Sequence, residues 1–295
     1  MGWNAEKQLV LLTRNETRDT MTATDLLVKS NQAVMGTNTY SMAGDIKMTM
    51  GMEADGEKME GSPLSMNTKL EGQIQSNPMQ VSMKMKMTPL DKGVVPETTM
   101  ETYMTEDRMY MKAPGQEWMV QDLPFSKDFW NQQKDIQSDP LKAVAQMKEM
   151  GMLLNFGNDL TLNGQEYYVI NTTLDMNKFR QGYQKIVGQI MQSVPQTTGA
   201  NPEEMQSFME KIMDKMSIDH YYTAYINKKT LICDVINIDA KMNMTFNPAE
   251  FAKEISPDPQ NNPSGEKVPQ EIKINMVLQG VLQSAIWTSP SLLQM

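Results

Sequence analysis

One run of alternating residues constrains the fold of this chain more than any other feature. From Tyr40 to Met52 the sequence alternates between an apolar set of side chains and a mostly polar set. A period of two is the signature of a β-strand whose two faces differ, and at ~3.3 Å per residue this strand would run roughly 40 Å. Ordinary strands have only ~5–6 residues. The run therefore predicts a large, curved sheet.

Methionine supplies most of the apolar face of this strand, and the pattern returns in two later runs. Met83, Met85 and Met87 alternate with polar residues, and Met100 and Met104 do so in a third run. The chain has 31 methionines in 295 residues, far above the usual few per cent. Methionine is flexible and polarisable. The sequence therefore uses methionine to line one surface of a sheet.

Two helices are predicted from start signals. Thr22 to Asp25 is a Ser/Thr-x-x-acid motif followed by apolar residues at helical spacing, which predicts a helix over 23–35. Asp139-Pro140 combines a capping residue with proline at the first helical position. This second signal predicts a helix from 141 to about 154, ended by Gly157.

Further helices are predicted from apolar stripes. Asp175 precedes a stripe that runs from Met176 to Val194, and a second stripe covers 201–216. Phe125, Phe129 and Trp130 suggest a short aromatic helix. The stripes need an apolar cover, and we expect the methionine-lined face of the sheet to provide it.

The remaining elements are strands joined mostly by short turns. Six lie between Tyr40 and Asp122, and others are predicted over 159–174, 218–246 and 272–282. Strands connected so briefly pair antiparallel. The predicted fold class is α+β, with a single curved antiparallel sheet of about eleven strands and helices packed on its concave face. The predicted domains are a poorly ordered N-terminal segment (1–21), a single domain (22–286) and a tail (287–295).

Charge and composition exclude several classes of partner. The net charge is −9 and the Lys and Arg residues are interspersed with acids, so no basic stripe is present to bind nucleic acid. No apolar run approaches the ~18–20 residues of a membrane-spanning helix. The N-terminal segment lacks the apolar core of a signal peptide and carries no cysteine for a lipid. The protein is then cytosolic, or an export segment is missing from this chain.

Motifs of enzymes and metal proteins are absent from the sequence. No nucleophile elbow, P-loop, dinucleotide-binding glycine motif or zinc-protease motif occurs. His220 is the only histidine and Cys233 the only cysteine, and we interpret them as structural residues. We therefore predict no catalytic residues, no cofactor and no metal site.

Several motifs together resemble a known family. These are a capped helix, a short Asn/Thr turn before the Tyr-Ser-Met at 40–42, two MxM strands, and the segment METYMTEDRMYMKAPGQEWM at 100–119. They resemble a family of uncharacterised Gram-positive surface lipoproteins, whose Tyr-Met-Thr-Glu-Asp hairpin and Trp strand match residues 103–118 closely. The resemblance covers roughly 22–190.

Members of that family look like outer-membrane lipoprotein carriers and mycobacterial lipoglycan carriers. The resemblance implies a half-barrel of about eleven antiparallel strands curled around helices, with an apolar cavity between. It also implies an extracytoplasmic, cell-surface location and no agreed activity. Because the lipid-bearing cysteine is absent from this chain, peripheral membrane association would require a missing N-terminal anchor. We expect a monomer.

Three interpretations of the methionines remain open. They line a cavity for a lipid or another apolar ligand, they fill the interior of a surface scaffold, or they bind Cu(I). Same-face neighbours on a strand are about 6.6 Å apart and no His or Cys is interleaved, which disfavours copper. We predict a non-catalytic module that shelters an apolar ligand in a cavity lined by Met48, Met50, Met83, Met85, Met100 and Met104.

Overall fold

The computed structural model describes residues 17–18, 20–75, 78–91, 96–122, 139–193, 210–248 and 269–286. The strands are β1 (Thr17–Arg18), β2 (Met21–Thr22), β3 (Thr39–Ala54), β4 (Glu57–Lys58), β5 (Leu64–Gln75), β6 (Gln80–Pro89), β7 (Thr98–Met104), β8 (Arg108–Lys112), β9 (Met119–Asp122), β10 (Met152–Phe156), β11 (Leu160–Leu162), β12 (Gln165–Leu174), β13 (Met216–Asn227), β14 (Cys233–Phe246) and β15 (Ile272–Ile286). The helices are α1 (Ala23–Met35), α2 (Pro140–Glu149) and α3 (Met176–Ser193), and residues 210–214 are also helical.

One large antiparallel sheet organises the described chain. Its main path is β10-β12-β13-β14-β15-β3-β5-β6-β7-β8-β9, with β11 beside β12 and β4 beside β3. The last strand, β15, pairs with β14 on one side and β3 on the other, so it joins the C-terminal strands to the N-terminal meander. The sheet is open, with β9 and β10 at its two ends. The predicted fold class is confirmed.

Helix α1 begins where the sequence predicts. Thr22 Oγ1 accepts a hydrogen bond from the Asp25 N–H (3.0 Å), and Asp25 Oδ2 accepts one from the Thr22 N–H (2.9 Å). This reciprocal pair is a capping box, which satisfies backbone donors that the first turn of a helix leaves unpaired.

The predicted extent of the second helix is wrong. Helix α2 ends at Glu149, and the Gly151 N–H donates to the Lys148 carbonyl at 3.0 Å. Gly151 has φ +78°, a conformation that glycine adopts without the steric cost of a side chain. The apolar residues that follow form β10 and pair with β12, so Gly151 ends the helix and Gly157 does not. A short apolar run fits either element, and here pairing with a sheet edge decides.

The buried core lies between α1 and one half of the sheet. Ala23 and Leu26 of α1 pack against strand residues that are at most 5% exposed: Phe156, Ile170, Ala224 and Ile226. At ~1.5–3 kcal/mol for each large buried side chain, this cluster anchors the helix to β10, β12 and β13. Arg18 adds a cation–π contact, 5.7 Å from the Phe156 ring centroid.

Helix α3 begins after Asp175, as predicted, with the Asp175 carboxylate accepting from the N–H groups of Asn177 and Lys178. Its Arg180 side chain donates to the Met213 carbonyl (3.1 Å) and the Met216 carbonyl (3.0 Å), which ties the helix to the segment that leads into β13. The expected contact of its apolar stripe with the methionine-lined face stays a prediction, because side chains from residue 187 to 193 lie outside the description.

Several other predicted segments lie outside the described residues. They are the aromatic helix near 125–130, most of the helix predicted over 201–216, and the two chain ends. The proposed domain boundaries therefore stay predictions. Among the described helices, none is both long enough and apolar enough to cross a membrane.

Candidate ligand-binding site

The methionine-lined face is the face of the sheet that carries Met85 of β6 and Met100 of β7. Strand register places these two methionines opposite each other. The same register continues inward through Leu70, Gly44 and Leu282. These residues form a single cross-strand row on one face, because paired residues of neighbouring strands point to the same side.

The row continues into the buried core. Leu282 pairs with Ile236, and the register then passes to Ala224, Ile170 and Phe156. One face of the sheet therefore carries both the core and the methionines. Burial decreases along the row. Ile170 is 1% exposed and Leu70 is 9% exposed, whereas Met85 and Met100, the last two members, are only half-buried.

All six methionines of the predicted cavity lie on this face. Met48 pairs with Met66 and Leu278, and Met50 pairs with Leu64 and Met276. Met83 and Met104 lie opposite Thr102 and Val81, respectively. All six are half-buried. Their shared face follows from the alternation in the sequence, and their role as a ligand cavity stays a prediction.

The strands that form the methionine-lined face place no charged residue on that face. Alternate positions along β3, β5, β6, β7 and β15 hold apolar residues, glycine, threonine, serine, proline or tyrosine on this side, with no Asp, Glu, Lys or Arg. The lysines and acids of these strands lie on the other face. Such a surface favours apolar ligands because a charged group placed on it would lose its hydration without gaining an ionic partner.

An apolar pocket adjoins this face near the end of α1. Its volume is about 250 Å³, and its lining includes Val34, Tyr40, Met42, Ile74, Ile236 and Leu282. Burial raises the pKa of the Tyr40 hydroxyl and raises the pKa of the Cys233 thiol, also in the lining, to about 11. The Ser284 hydroxyl donates to the Cys233 carbonyl. The pocket is therefore mainly apolar, and its polar lining residues include Thr37, Asp234 and Gln283.

None of the six predicted methionines lines this pocket. Sequence reasoning placed Tyr40 and Met42 on the correct face but gave no sign that the end of α1 and the start of β14 approach them. These contacts join residues almost 200 positions apart, such as Met42 and Val235, and no local pattern encodes them. The apolar alternation of β3 was the only signal available for this site.

His220 and Cys233 have structural surroundings. The His220 ring lies edge-on to the Tyr222 ring, with centroids 5.3 Å apart. The raised pKa of Cys233 keeps the thiol protonated near neutral pH, and the thiolate is the nucleophilic form. Within the described ranges, no group of three or more His, Cys, Asp or Glu side chains is arranged to hold a metal ion. The absence of a metal site in the whole chain stays a prediction.

Comparison with known families identifies the chain at the family level. Residues 22–276 match the model of a family of unknown function, DUF6612. The chain belongs to this family. The match confirms the resemblance to an uncharacterised family, and it covers all but the last ten residues of the region predicted as a single domain (22–286). No curated protein matches the sequence.

Solved structures give weaker likenesses. Lipoprotein LppX from Mycobacterium tuberculosis is 9% identical over 91% of this chain and 96% of its own, with a TM-score of 0.37. LprF from Mycobacterium bovis is 14% identical over 92% and 96%, with a TM-score of 0.36. A lipoprotein-sorting protein domain from Vibrio parahaemolyticus is 9% identical over 90% and 94%, with a TM-score of 0.24. Likenesses at these scores carry no argument about function.

Proposed function

We propose that this protein is a non-catalytic, extracytoplasmic module that shelters an apolar ligand against its methionine-lined face. The ligand class is a lipid, an acyl chain or a hydrophobic segment of another surface protein. The extracytoplasmic location rests on the family resemblance described above. An N-terminal lipid anchor would make the protein peripheral to a membrane.

One observation carries this proposal: the apolar face extends well beyond the buried core. Under α1 the face is covered, but at Met85 and Met100 it is only partly buried and still without charge. Large exposed apolar patches are uncommon on monomeric proteins and mark interaction surfaces. Methionine suits such a surface because its unbranched side chain adapts to ligands of variable shape.

The adjoining pocket supports the same function. Its volume of about 250 Å³ equals that of roughly eight water molecules at ~30 Å³ each, and an alkyl segment of a similar number of methylene groups fills comparable space. Met42 lines the pocket and, through Gly72, shares a cross-strand row with Met83 of the predicted cavity. An acyl chain could therefore enter the pocket and continue over the methionines.

Native mass spectrometry and lipid extraction of protein purified from its own host test the proposal. We expect co-purified lipid, and binding of a fluorescent fatty acid by the delipidated protein. Met85→Trp should reduce this binding while leaving the fold intact, because Trp occupies ligand space on a half-buried position. Lys86→Trp is the matched control, since Lys86 is the next residue of β6, is exposed and lies on the opposite face.

The competing interpretation is a surface scaffold with a filled interior. It predicts no extractable lipid, no fatty-acid binding, and loss of stability in Met85→Trp through overpacking. That combination would exclude the carrier function.

A further inference from the structure

A second, polar groove lies on the opposite face of the sheet. It has a volume of about 890 Å³ and is bounded at one end by the β13–β14 turn, with Asn227, Thr230 and Asp234. Its floor consists mainly of charged-face residues of β15, β3, β5 and β6, together with Met42, Gly72 and Ser284 of the methionine-lined face. We call it the polar groove. It is larger than the apolar pocket, and the two share the lining residues Met42, Ile232, Asp234, Val235, Gln283 and Ser284.

Small side chains of β3 lower part of the groove floor. Asp45, Lys69 and Lys86 form one cross-strand row, and their long or charged side chains project from the sheet. The next row on this face, two residues closer to the β13–β14 turn, has Ala43 on β3 where the first row has Asp45. The row after that has Ser41 on the same strand. Ala43 and Ser41 therefore lower the floor at β3, while the row of Ala43 continues with Glu71 and Lys84, which also line the groove.

The lining combines neutral hydrogen-bonding groups with apolar side chains, which include Met42, Ile232 and Val235. Hydroxyl and amide side chains are contributed by all four floor strands: Ser41, Gln73, Ser82 and Gln283. Such groups both donate and accept hydrogen bonds, as the hydroxyls of a sugar do.

The charged residues of the lining do not form an anion site. Glu71 and Asp234 are acidic and Lys84 is basic, which leaves an excess of one negative charge. The Asp234 carboxylate already accepts hydrogen bonds from the Tyr167 hydroxyl (3.1 Å) and the Asn227 amide (3.2 Å). On a chain of net charge −9, this lining disfavours nucleic acids and other polyanions.

Aromatic rings continue the floor on one side. Ser41, Gln73 and Ser82 lie in a single cross-strand row. The next two members of that row, on β7 and β8, are Tyr103 and Tyr110, whose ring centroids are 5.8 Å apart. Both tyrosines are half-buried, so part of each ring remains accessible. Aromatic faces attract polarised C–H groups, which the ring face of a pyranose presents.

We propose that the polar groove binds a neutral oligosaccharide, with sugar hydroxyls on the Ser and Gln side chains and a sugar ring against Tyr103. An extended peptide fits less well, because peptides that add to a sheet use the free backbone groups of an edge strand. The groove lies on the face of β15, β3, β5 and β6, whose backbones are paired on both sides. The groove shares part of its lining with the apolar pocket, but Ala43 and Tyr103, which the tests below change, do not line that pocket.

Isothermal titration and NMR titration with neutral hexasaccharides of N-acetylglucosamine, glucose and mannose test the proposal. We expect at least one to bind wild-type protein. Ala43→Ile should weaken that binding at least tenfold, because the larger side chain raises the groove floor. Asp45→Ile is the matched control, since it introduces the same side chain on the same face two residues away, outside the groove. It should change affinity less than twofold.

A second variant tests the aromatic contact. Tyr103→Leu should weaken binding at least fivefold while far-ultraviolet circular dichroism stays unchanged. The proposal is overturned if none of the three hexasaccharides binds at millimolar concentration, or if Ala43→Ile and Asp45→Ile weaken binding equally. Fatty-acid binding measured on the same samples keeps this result separate from the proposed lipid function, because neither variant touches the methionine-lined face.

Discussion

At the scale of single residues, Gly280 of β15 occupies a position where the backbone of β3 leaves no room for a side chain. A Cβ atom added there would lie 2.7 Å from the Asp45 carbonyl oxygen and 2.9 Å from Ile46 Cα. Because both neighbours are backbone atoms of a paired strand, they cannot move without breaking the ladder. We expect Gly280→Ala to lower the free energy of unfolding by about 1–3 kcal/mol in urea denaturation.

Gly51→Ala is the control for that measurement. Gly51 lies on β3, and the nearest atom to an added Cβ is the Asn275 carbonyl oxygen at 3.9 Å, an ordinary contact distance. Replacing a strand glycine where space allows should be neutral or stabilising by about 0.4–1 kcal/mol, since alanine restricts the unfolded chain. Equal losses in the two variants would show that contact with the β3 backbone is not the cause.

Cys233 gives a second prediction at this scale. Burial raises its pKa from 9.0 to about 11. Between these values the folded protein keeps a proton that the unfolded chain loses, so this residue makes stability fall as pH rises from about 9 to 11. Wild-type protein should lose on the order of 1 kcal/mol more than Cys233→Ala between pH 8 and 10 in urea denaturation. An identical loss in both proteins would contradict the buried, protonated thiol.

At the scale of elements, the capping box of α1 contributes measurably to the free energy of unfolding. Thr22→Ala removes the acceptor for the Asp25 N–H and should lower the free energy of unfolding by about 1 kcal/mol. Thr24→Ala is the control, since residue 24 lies inside the helix and alanine has the higher helix propensity. A loss in Thr24→Ala as large as that in Thr22→Ala would remove the cap as the explanation.

Asp25 gives the cap a pH dependence of defined sign. Hydrogen bonds from Thr22 lower the pKa of the Asp25 carboxyl below its ordinary value. The stabilisation is therefore present above that ordinary value and disappears as pH falls through the lowered pKa. The difference in stability between wild type and Thr22→Ala should accordingly shrink in acid.

Which elements were predictable depends on whether their signals are local. The alternation from Tyr40 to Met52 predicted β3 because a period of two is written in neighbouring residues. The capping box predicted the start of α1 for the same reason. The boundary between α2 and β10 was missed because Leu153 and Leu154 are extended only by pairing with Thr173 and Thr172, some twenty residues later. The apolar pocket and the polar groove were not predictable either, because their linings bring together residues that lie still further apart in the sequence.

At the scale of the whole molecule, burial is distributed unevenly across one sheet. In β12 the residues Val169, Ile170, Asn171 and Thr172 are all at most 7% exposed. In β9, at the opposite end of the sheet, all four residues are exposed. Local stability follows burial and backbone protection from water. The half of the sheet under α1 is therefore the more stable part of the fold.

Hydrogen exchange followed by mass spectrometry tests this asymmetry together with the proposed function. Amides of β12 and β13 should exchange most slowly, and those of β8 and β9 fastest, in the free protein. A bound apolar ligand covers the methionine-lined face, so dodecanoate should slow exchange in β6 and β7 and leave β12 unchanged. Met85→Trp should abolish this ligand-induced protection, and Lys86→Trp should retain it. Uniform protection across the sheet would contradict a site on the methionines, because it would reflect stabilisation of the whole fold rather than cover of one half.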